Sequence, residues 1–549
     1  MTSPRVSVTG NLRVPDPFNE PARDFAPGSP EAAELLKEID RIRGQVRELP
    51  HVIAGERLPL GGPSDVVTPH DHGHLLGHFS PAGPHEVTAA IEAALRARPA
   101  WSRTPWWDRT AIFLRAADLV TGKYRAELLA TTMLGQSKTF HQADIDINEL
   151  ADFFRYNASF AAQIYDTQPR SAAGAWNQMD HRPLEGFVLA ITPFNFTAIA
   201  GNLPSTPALM GNVVVWKPSE KSALSSDVVM RVFEEAGLPP GVINLVHGSG
   251  GEVAAVAQQS EHLAGITFTG STAVFRQLWK STAANIDRYR SYPRLVGETG
   301  GKNAVVAHPS ADPEALVTAL VRGAFEYQGQ KCSAASRTYI PRSLWKSVEE
   351  PLVATTANLR VGDVTQHETF VGAVIDGASA RRLERAIERG RSLDSHELLA
   401  GGSTRTEEGW FVDPTIFRTT DPDAITMSEE YFGPLLSVYV YEDDEWERTL
   451  QLVDRTSDYA LCCSIFAGDR RAIAQGLDVL RDAGGMTYVN DKPTGASIGQ
   501  QSFGGSRGSG TNDKTGSPLA LQRWITGRFI KETFSPAVDW TYPYMGRRG

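Results

Sequence analysis

Residues 186–220, GFVLAITPFNFTAIAGNLPSTPALMGNVVVWKPSE, decide the fold. Two short apolar runs, GFVLAIT and NVVVWKP, frame them, and each ends in a turn carrying polar side chains. The pattern continues through GVINLVHG, AGITFTG, RLVG and KNAVVAH, with helical segments such as SALSSDVVMRVFEEAG and GEVAAVAQQ between. Short apolar strands alternating with helices predict right-handed βαβ units and a parallel, doubly wound α/β sheet.

Working outward, three long amphipathic helices precede this region: PHEVTAAIEAALRARPAW, DRTAIFLRAADLVTGKYRAELLATTMLGQ and QADIDINELADFFRYNASFAAQIYD. Before them stand a β region, from HVIAGERL to HLLGHFS, and a helix, SPEAAELLKEIDRIRGQ, capped by Ser29. From Asp312 to about Gly485 strands and helices alternate more loosely and read as a second α/β unit. A Gly- and Ser-rich loop, PTGASIGQQSFGGSRGSGTND, follows, and then a β-prone aromatic tail, RWITGRFIKETFSPAVDWTYPYM.

The chain has 549 residues, 41% of them hydrophobic and 21% charged, as in an ordinary globular protein. A formal net charge of −10 argues against a broad basic face for nucleic acid. No apolar run approaches the roughly 18 residues that span a bilayer. The first 25 residues lack a hydrophobic core segment and carry acids early, which argues against a signal or transit peptide. Three cysteines, two of them adjacent, make a poor disulfide framework, so a reducing cytosol is expected.

Several motifs fall short. GSGTNDKT has Asp513 where a phosphate-binding loop needs its second Gly. GGSRG, 504–508, matches a nucleophile elbow but lacks the strand before and helix after. His70, His72, His74 and His78 read as a polar hairpin around Asp71–Gly73 rather than a metal site, since no ligand spacing demands one. No metal is expected.

Other residues combine better. Asn195 leaves an amide at a strand's carboxyl end, where open α/β sheets bind ligands, and Glu298 does the same with a carboxylate in a Gly-rich turn. Lys217 and Glu220, closing NVVVWKPSE, suit an adenosine ribose. An acid there repels a 2′-phosphate and favours NAD over NADP. HGSGGEV and FTGST place glycines between a strand and a helix start, exposing N–H groups to a phosphate. Cys332, in QGQKCSAASR, follows a polar turn, whereas Cys462 and Cys463 lie in the apolar YALCCSIFAG and read as inert core. A nucleophilic thiol needs a lowered pKa, and Lys331 and Arg337 are the local cations.

At this point the chain resembles the aldehyde dehydrogenase superfamily. PFNF (193–196), KPSE (217–220), FTGST (268–272), GETGGK (297–302), GQKCSAASR (329–337) and EEYFGP (429–434) stand in that family's order. FNEPARDFAPGSPE (18–31), RYRSYPRLVGETGGKN (288–303) and NDKPTGASIGQQSFGGSRGSGTNDKTG (490–516) narrow the resemblance to members that oxidise glutamate γ-semialdehyde to glutamate, the second step of proline catabolism. Ser506 and Gly508 depart from it, standing where such members more often have Ala.

The resemblance implies Cys332 as nucleophile, Asn195 and the Cys332 N–H as oxyanion donors, and Glu298 as general base. It implies NAD, held by Lys217, Glu220, Gly270, Ser271, Glu430 and Phe432. It implies that Ser333, Gly495 and Ala496 anchor the substrate carboxylate, Phe196 and Phe503 flank its aliphatic chain, and Lys331 adds positive charge. The fold implied is a Rossmann-type NAD-binding domain (1–150 and 171–299, with 503–525 returning to it), an α/β catalytic domain (300–502) and a small β oligomerisation flap (151–170 and 526–549). The implied partners are a small-molecule substrate, a second copy in a homodimer or assembly of dimers, and a separate proline dehydrogenase, with no nucleic acid or membrane. A sister enzyme acting on another ω-semialdehyde is the alternative. A silent scaffold is disfavoured by the joint presence of Asn195, Glu298 and Cys332.

Overall fold

Residues 12–546 are described by a computed structural model. Residues 1–11 of the N-terminal segment read above, and 547–549 of the expected flap, lie outside them.

The alternating runs form a seven-stranded sheet. Its five parallel strands lie in the order Arg294–Glu298, Leu263–Thr269, Phe187–Ile191, Val213–Lys217, Ile243–Leu245. Chain order therefore reverses between Phe187–Ile191 and Leu263–Thr269, and that reversal opens a crevice at the carboxyl edge. Every residue of Phe187–Ile191 and Val213–Lys217 is buried, because helices cover both faces. Two short antiparallel strands, Val52–Ile53 and Glu56–Arg57, extend the Ile243 edge.

A second seven-stranded sheet runs His396–Ala400, Thr415–Thr419, Leu435–Tyr441, Ala335–Pro341, Asn303–Ala307, Cys462–Phe466, Met486–Val489. All its pairings are parallel except the first. The chain passes from one sheet to the other in four residues, Thr299–Lys302. The carboxyl end of Arg294–Glu298 thus leads directly to the amino end of Asn303–Ala307. One large core, including Leu189, Val215, Phe233 and Ile266, packs the first sheet, and Val305, Leu320, Ile340 and Leu436 belong to a core of the second.

Three expectations need correcting. The helix predicted to run unbroken through GKYRAE is two, Trp106–Thr121 and Arg125–Gln136, parted at Gly122, whose φ of −109° and ψ of −104° are not helical. The segment 151–170 is not a flap: one helix, Phe140–Asp166, runs through the expected boundary, and its Ala151, Phe153 and Phe154 are buried in the first core. The strand that pairs antiparallel with the tail strand Ile525–Thr533 is Ala175–Pro183. The histidine hairpin turns at Pro69–His70 rather than at Asp71–Gly73.

Candidate active site

Cys332 sits in a tight turn closed by the Ala334 N–H donating to the Lys331 carbonyl (3.0 Å), just before strand Ala335–Pro341. Three left-handed residues deliver it, Tyr327 (φ 51°), Gln328 (φ 55°) and Gly329 (φ 65°). Two of them are not glycine, a strained arrangement that surrounding contacts must hold. The Gln328 amide donates to the Ser137 and Ala373 carbonyls (2.9 and 2.8 Å), and its oxygen accepts the Gly372 N–H (2.9 Å). Asn303 donates to the carbonyls of Cys332 and Ala334 (2.7 and 2.9 Å). The two glycines of GETGGK have separate reasons: a Cβ on Gly301 would collide with the Cys332 carbonyl oxygen, and one on Gly300 with the Glu430 carboxylate.

The cations expected to activate the thiol are committed elsewhere. Lys331 pairs with Glu326 (2.9 Å), and Arg337 donates to the Lys302 carbonyl and the Tyr339 hydroxyl. Burial instead pushes the Cys332 thiol up, and the carboxylates of Glu298 and Glu430 add to the rise. Its own N–H opposes the rise and favours thiolate.

Asn195 follows strand Phe187–Ile191 and is buried. One amide hydrogen is used on the Gln330 carbonyl (3.1 Å), which fixes the side chain beside the cysteine turn and leaves its second hydrogen free among the described residues. Glu298 closes strand Arg294–Glu298. Burial raises its carboxyl well above the ordinary range, opposed by the Gly505 N–H. Its Oε2 is buried without a hydrogen-bond partner among the described residues, as a base waiting for a water needs.

Cys332, Glu298, Phe196, Lys331, Ser333, Gly495, Ala496 and Phe503 line one cavity of about 310 Å³. The Ser333 hydroxyl donates to Thr494 (2.9 Å), and Gly495 is held at φ 97°. Sequence reasoning missed the opposite wall. His141, Asn148, Glu149 and Asp152, with the apolar Ile145 among them, recur at helical spacing along Phe140–Asp166 and turn a mostly polar stripe into the cavity. Burial raises Glu149 to about 8 and Asp152 to about 6. The stripe's period was legible, but its polarity resembled a solvent face.

The crevice at the first sheet's carboxyl edge suits a dinucleotide. Lys217 ends a strand, and burial lowers its ammonium to about 8 against the pull of Glu220. Together they offer a donor and an acceptor to ribose hydroxyls. Two helices begin in this crevice, Gly250–Ala257 and Thr272–Ala284, the second capped by Ser271. Gly270 donates its N–H to the Glu298 carbonyl (3.2 Å). Glu430, raised by burial to about 7, accepts the Gly301 N–H (2.9 Å), and Phe432 packs edge-on against Phe194.

The remaining motifs resolve plainly. His70 is buried on Ser137, His72 stacks on Trp410 (4.2 Å) and His78 meets Asp65. Among the described residues no group of three or more His, Cys, Asp or Glu converges as a metal site. Ser506 and Arg507 form a two-residue strand against Tyr459–Ala460, not an elbow. A larger groove of about 1600 Å³, with Arg98, Arg109, Arg294 and Arg528 in its walls, contains none of the candidate residues.

A doubly wound dinucleotide sheet whose carboxyl edge meets a buried cysteine, an amide donor and a buried carboxylate defines a nucleotide-dependent oxidoreductase. The chain belongs to the aldehyde dehydrogenase family, whose model matches residues 61–530. It is 47% identical over 539 residues to the human mitochondrial delta-1-pyrroline-5-carboxylate dehydrogenase, covering 98% of this chain and 95% of the human one. It is 48% identical over 529 residues to the bovine mitochondrial enzyme of the same name, covering 96% and 94%. The delta-pyrroline-5-carboxylate dehydrogenase of Mycobacterium tuberculosis, solved with NAD bound, superposes with a TM-score of 0.95 at 51% identity, over 98% of this chain and all (100%) of that one. These relatives correct the expected cytosolic location, since the human and bovine proteins are mitochondrial. Three free thiols cannot separate one reducing compartment from another.

Proposed function

We propose that this chain oxidises L-glutamate γ-semialdehyde, the open form of 1-pyrroline-5-carboxylate, to L-glutamate with NAD. The observation that carries this reading is one cavity holding both a reaction centre and a carboxylate anchor: Cys332 and Glu298 beside Ser333, Gly495 and Ala496. A hydroxyl and two backbone N–H groups form a nest for the substrate's α-carboxylate. Phe196 and Phe503 flank its short aliphatic chain. The Glu149 carboxyl faces the same space, and an α-ammonium placed beside it would draw it down toward its ionised form.

Cys332 gives its proton to solvent water, its sulfur bonds to the aldehyde carbon, and the carbonyl π pair moves onto oxygen. The oxyanion of the resulting thiohemiacetal takes the free Asn195 amide hydrogen and the Cys332 N–H. Bound NAD would supply the hydride acceptor through which this adduct, its oxyanion re-forming a carbonyl, becomes a thioester. Glu298 then takes a proton from water through Oε2, the water oxygen bonds to the thioester carbon, and the carbon–sulfur bond breaks to release glutamate and the thiolate. Lys217 and Glu220 would hold the adenosine ribose, Gly270 and Ser271 the pyrophosphate, and Glu430 and Phe432 the nicotinamide end.

Steady-state NADH formation tests the reading. Glutamate semialdehyde is expected to exceed propanal in kcat/KM by about a hundredfold, because its two charged groups meet built partners. Equal kcat/KM would remove the anchor assignment. A strong preference for succinate semialdehyde would favour the sister-enzyme alternative.

The same reading includes a homodimer. No strand among the described residues pairs with the outer edge of Ile525–Thr533, and the tail exposes Phe529, Phe534, Trp540 and Tyr544. Light scattering at micromolar concentration is expected to return at least twice the chain mass, and a monomer would refute it. A separate proline dehydrogenase, as supplier of the cyclic imine, is the protein partner proposed.

A further inference from the structure

The motif FNEPARDF has no part in the chemistry above, yet it lies on the cavity. Residues Asn19, Glu20 and Ala22 line it, in an extended segment without helix or strand. Asn19 is the hub. Its amide nitrogen donates to the Asp152 carboxylate (2.8 Å) and to the Ile498 carbonyl (2.9 Å). Its oxygen accepts from the Gln500 amide (3.0 Å) and the Tyr156 hydroxyl (3.3 Å). One side chain thus joins the cavity helix Phe140–Asp166 to the loop that carries Gly495 and Ala496.

The neighbours reinforce the same seam. The Glu20 N–H donates to the other Asp152 oxygen (2.7 Å), and its carboxylate pairs with Arg155 (2.9 Å). The Arg23 N–H donates to Asp144 (2.8 Å), and the Arg155 guanidinium lies over the Phe18 ring (4.1 Å). Asp152, although a cavity residue, is occupied by the segment and not left for substrate. Hydrogen bonds to a charged acceptor in a partly buried setting are the strong kind.

On the reading of glutamate semialdehyde as substrate, we propose that Phe18–Ala22 is a specificity-determining strap. It closes the cavity on the side of the carboxylate loop, and Asn19 is the positioning residue that holds this loop in register for the α-amino-acid end of the substrate. The strap acts on binding of that end and not on the thiol chemistry. Loss of Asn19 therefore weakens recognition of substrates that possess such an end and spares those that do not.

The test uses the full chain with Asn19→Ala and Gln500→Ala, assayed on glutamate semialdehyde and on propanal. For Asn19→Ala the KM for glutamate semialdehyde is expected to rise about tenfold with kcat within about twofold, and the preference over propanal to fall by the same factor. Gln500 is exposed, so its replacement carries little folding risk, and it is expected to shift the preference in the same direction by about threefold. A parallel loss on both aldehydes, or no change in the ratio for either variant, would overturn the strap. If the unmodified chain shows no preference for glutamate semialdehyde, the substrate reading fails, and the strap fails with it.

Discussion

Cys332→Ala is expected to leave less than about one part in 10⁴ of the wild-type turnover, since removing a covalent nucleophile forfeits the whole two-step route. No neighbour can replace it. The Ser333 hydroxyl belongs to the carboxylate anchor, and Cys462 is buried in the apolar cluster behind the nucleophile. Affinity for NAD is expected to stay within about twofold, because Lys217, Glu220 and Ser271 stand at strand and helix ends of the first sheet, apart from the cysteine turn. NADH formation checks the first expectation and calorimetric NAD titration the second. Retained turnover would remove Cys332 from its role, and joint loss of turnover and NAD affinity would mean that the turn itself had collapsed. The unmodified chain should also gain activity as pH rises from neutral. Nucleophile and base must both be deprotonated, burial raises both, and each step toward their raised pKa values enlarges the active fraction. Acid reverses the gain.

What the sequence disclosed about this site follows a physical rule. Asn195, Glu298 and Lys217 each close or follow a short apolar strand, so their placement at a carboxyl edge was readable from local pattern alone. The identity of the nucleophile was readable because Cys332 interrupts polar sequence while Cys462 and Cys463 do not. Its electrostatic setting was not. Lys331 is adjacent in the chain, yet its charge is turned to Glu326, and a neighbour in sequence is not a neighbour in space. Asn19 contacts a carbonyl 479 positions away, and Asn303 ties the cysteine turn to a strand 159 positions on, at the Cys462 N–H. Neither residue carries a period or a spacing that announces such a partner. The unbroken helix failed for a related reason. Its apolar period continues across Gly122, and only the backbone angles there show the chain changing direction.

The largest expected loss of stability falls on a residue the mechanism never touches. Asp146 and Lys138 form an ion pair at 2.7 Å with neither side chain exposed (0% each). Asp146 also accepts the N–H groups of Thr197 (2.9 Å) and Ala198 (2.8 Å), capping the helix that begins directly after Asn195 and Phe196. The Lys138 ammonium lies 4.0 Å from the centre of the Phe196 ring and 4.5 Å from that of Tyr327, at the head of the cysteine turn. Asp146→Ala removes three hydrogen bonds and leaves a cation without a partner in a site where burial already lowers its pKa. Breaking such a pair from one side costs about 3–5 kcal/mol. For a unit of the first sheet's size this corresponds to roughly 6–20 °C in apparent melting temperature. Lys138→Met should be the milder change. Its thioether still fills the space between two aromatic rings, and the Asp146 carboxylate keeps its two helical N–H donors. Differential scanning calorimetry at fixed scan rate orders the two variants. If Lys138→Met lowers the melting temperature as far as Asp146→Ala, the stability resides in the ion pair alone, and Asp146 is not the keystone of the Asn195 segment.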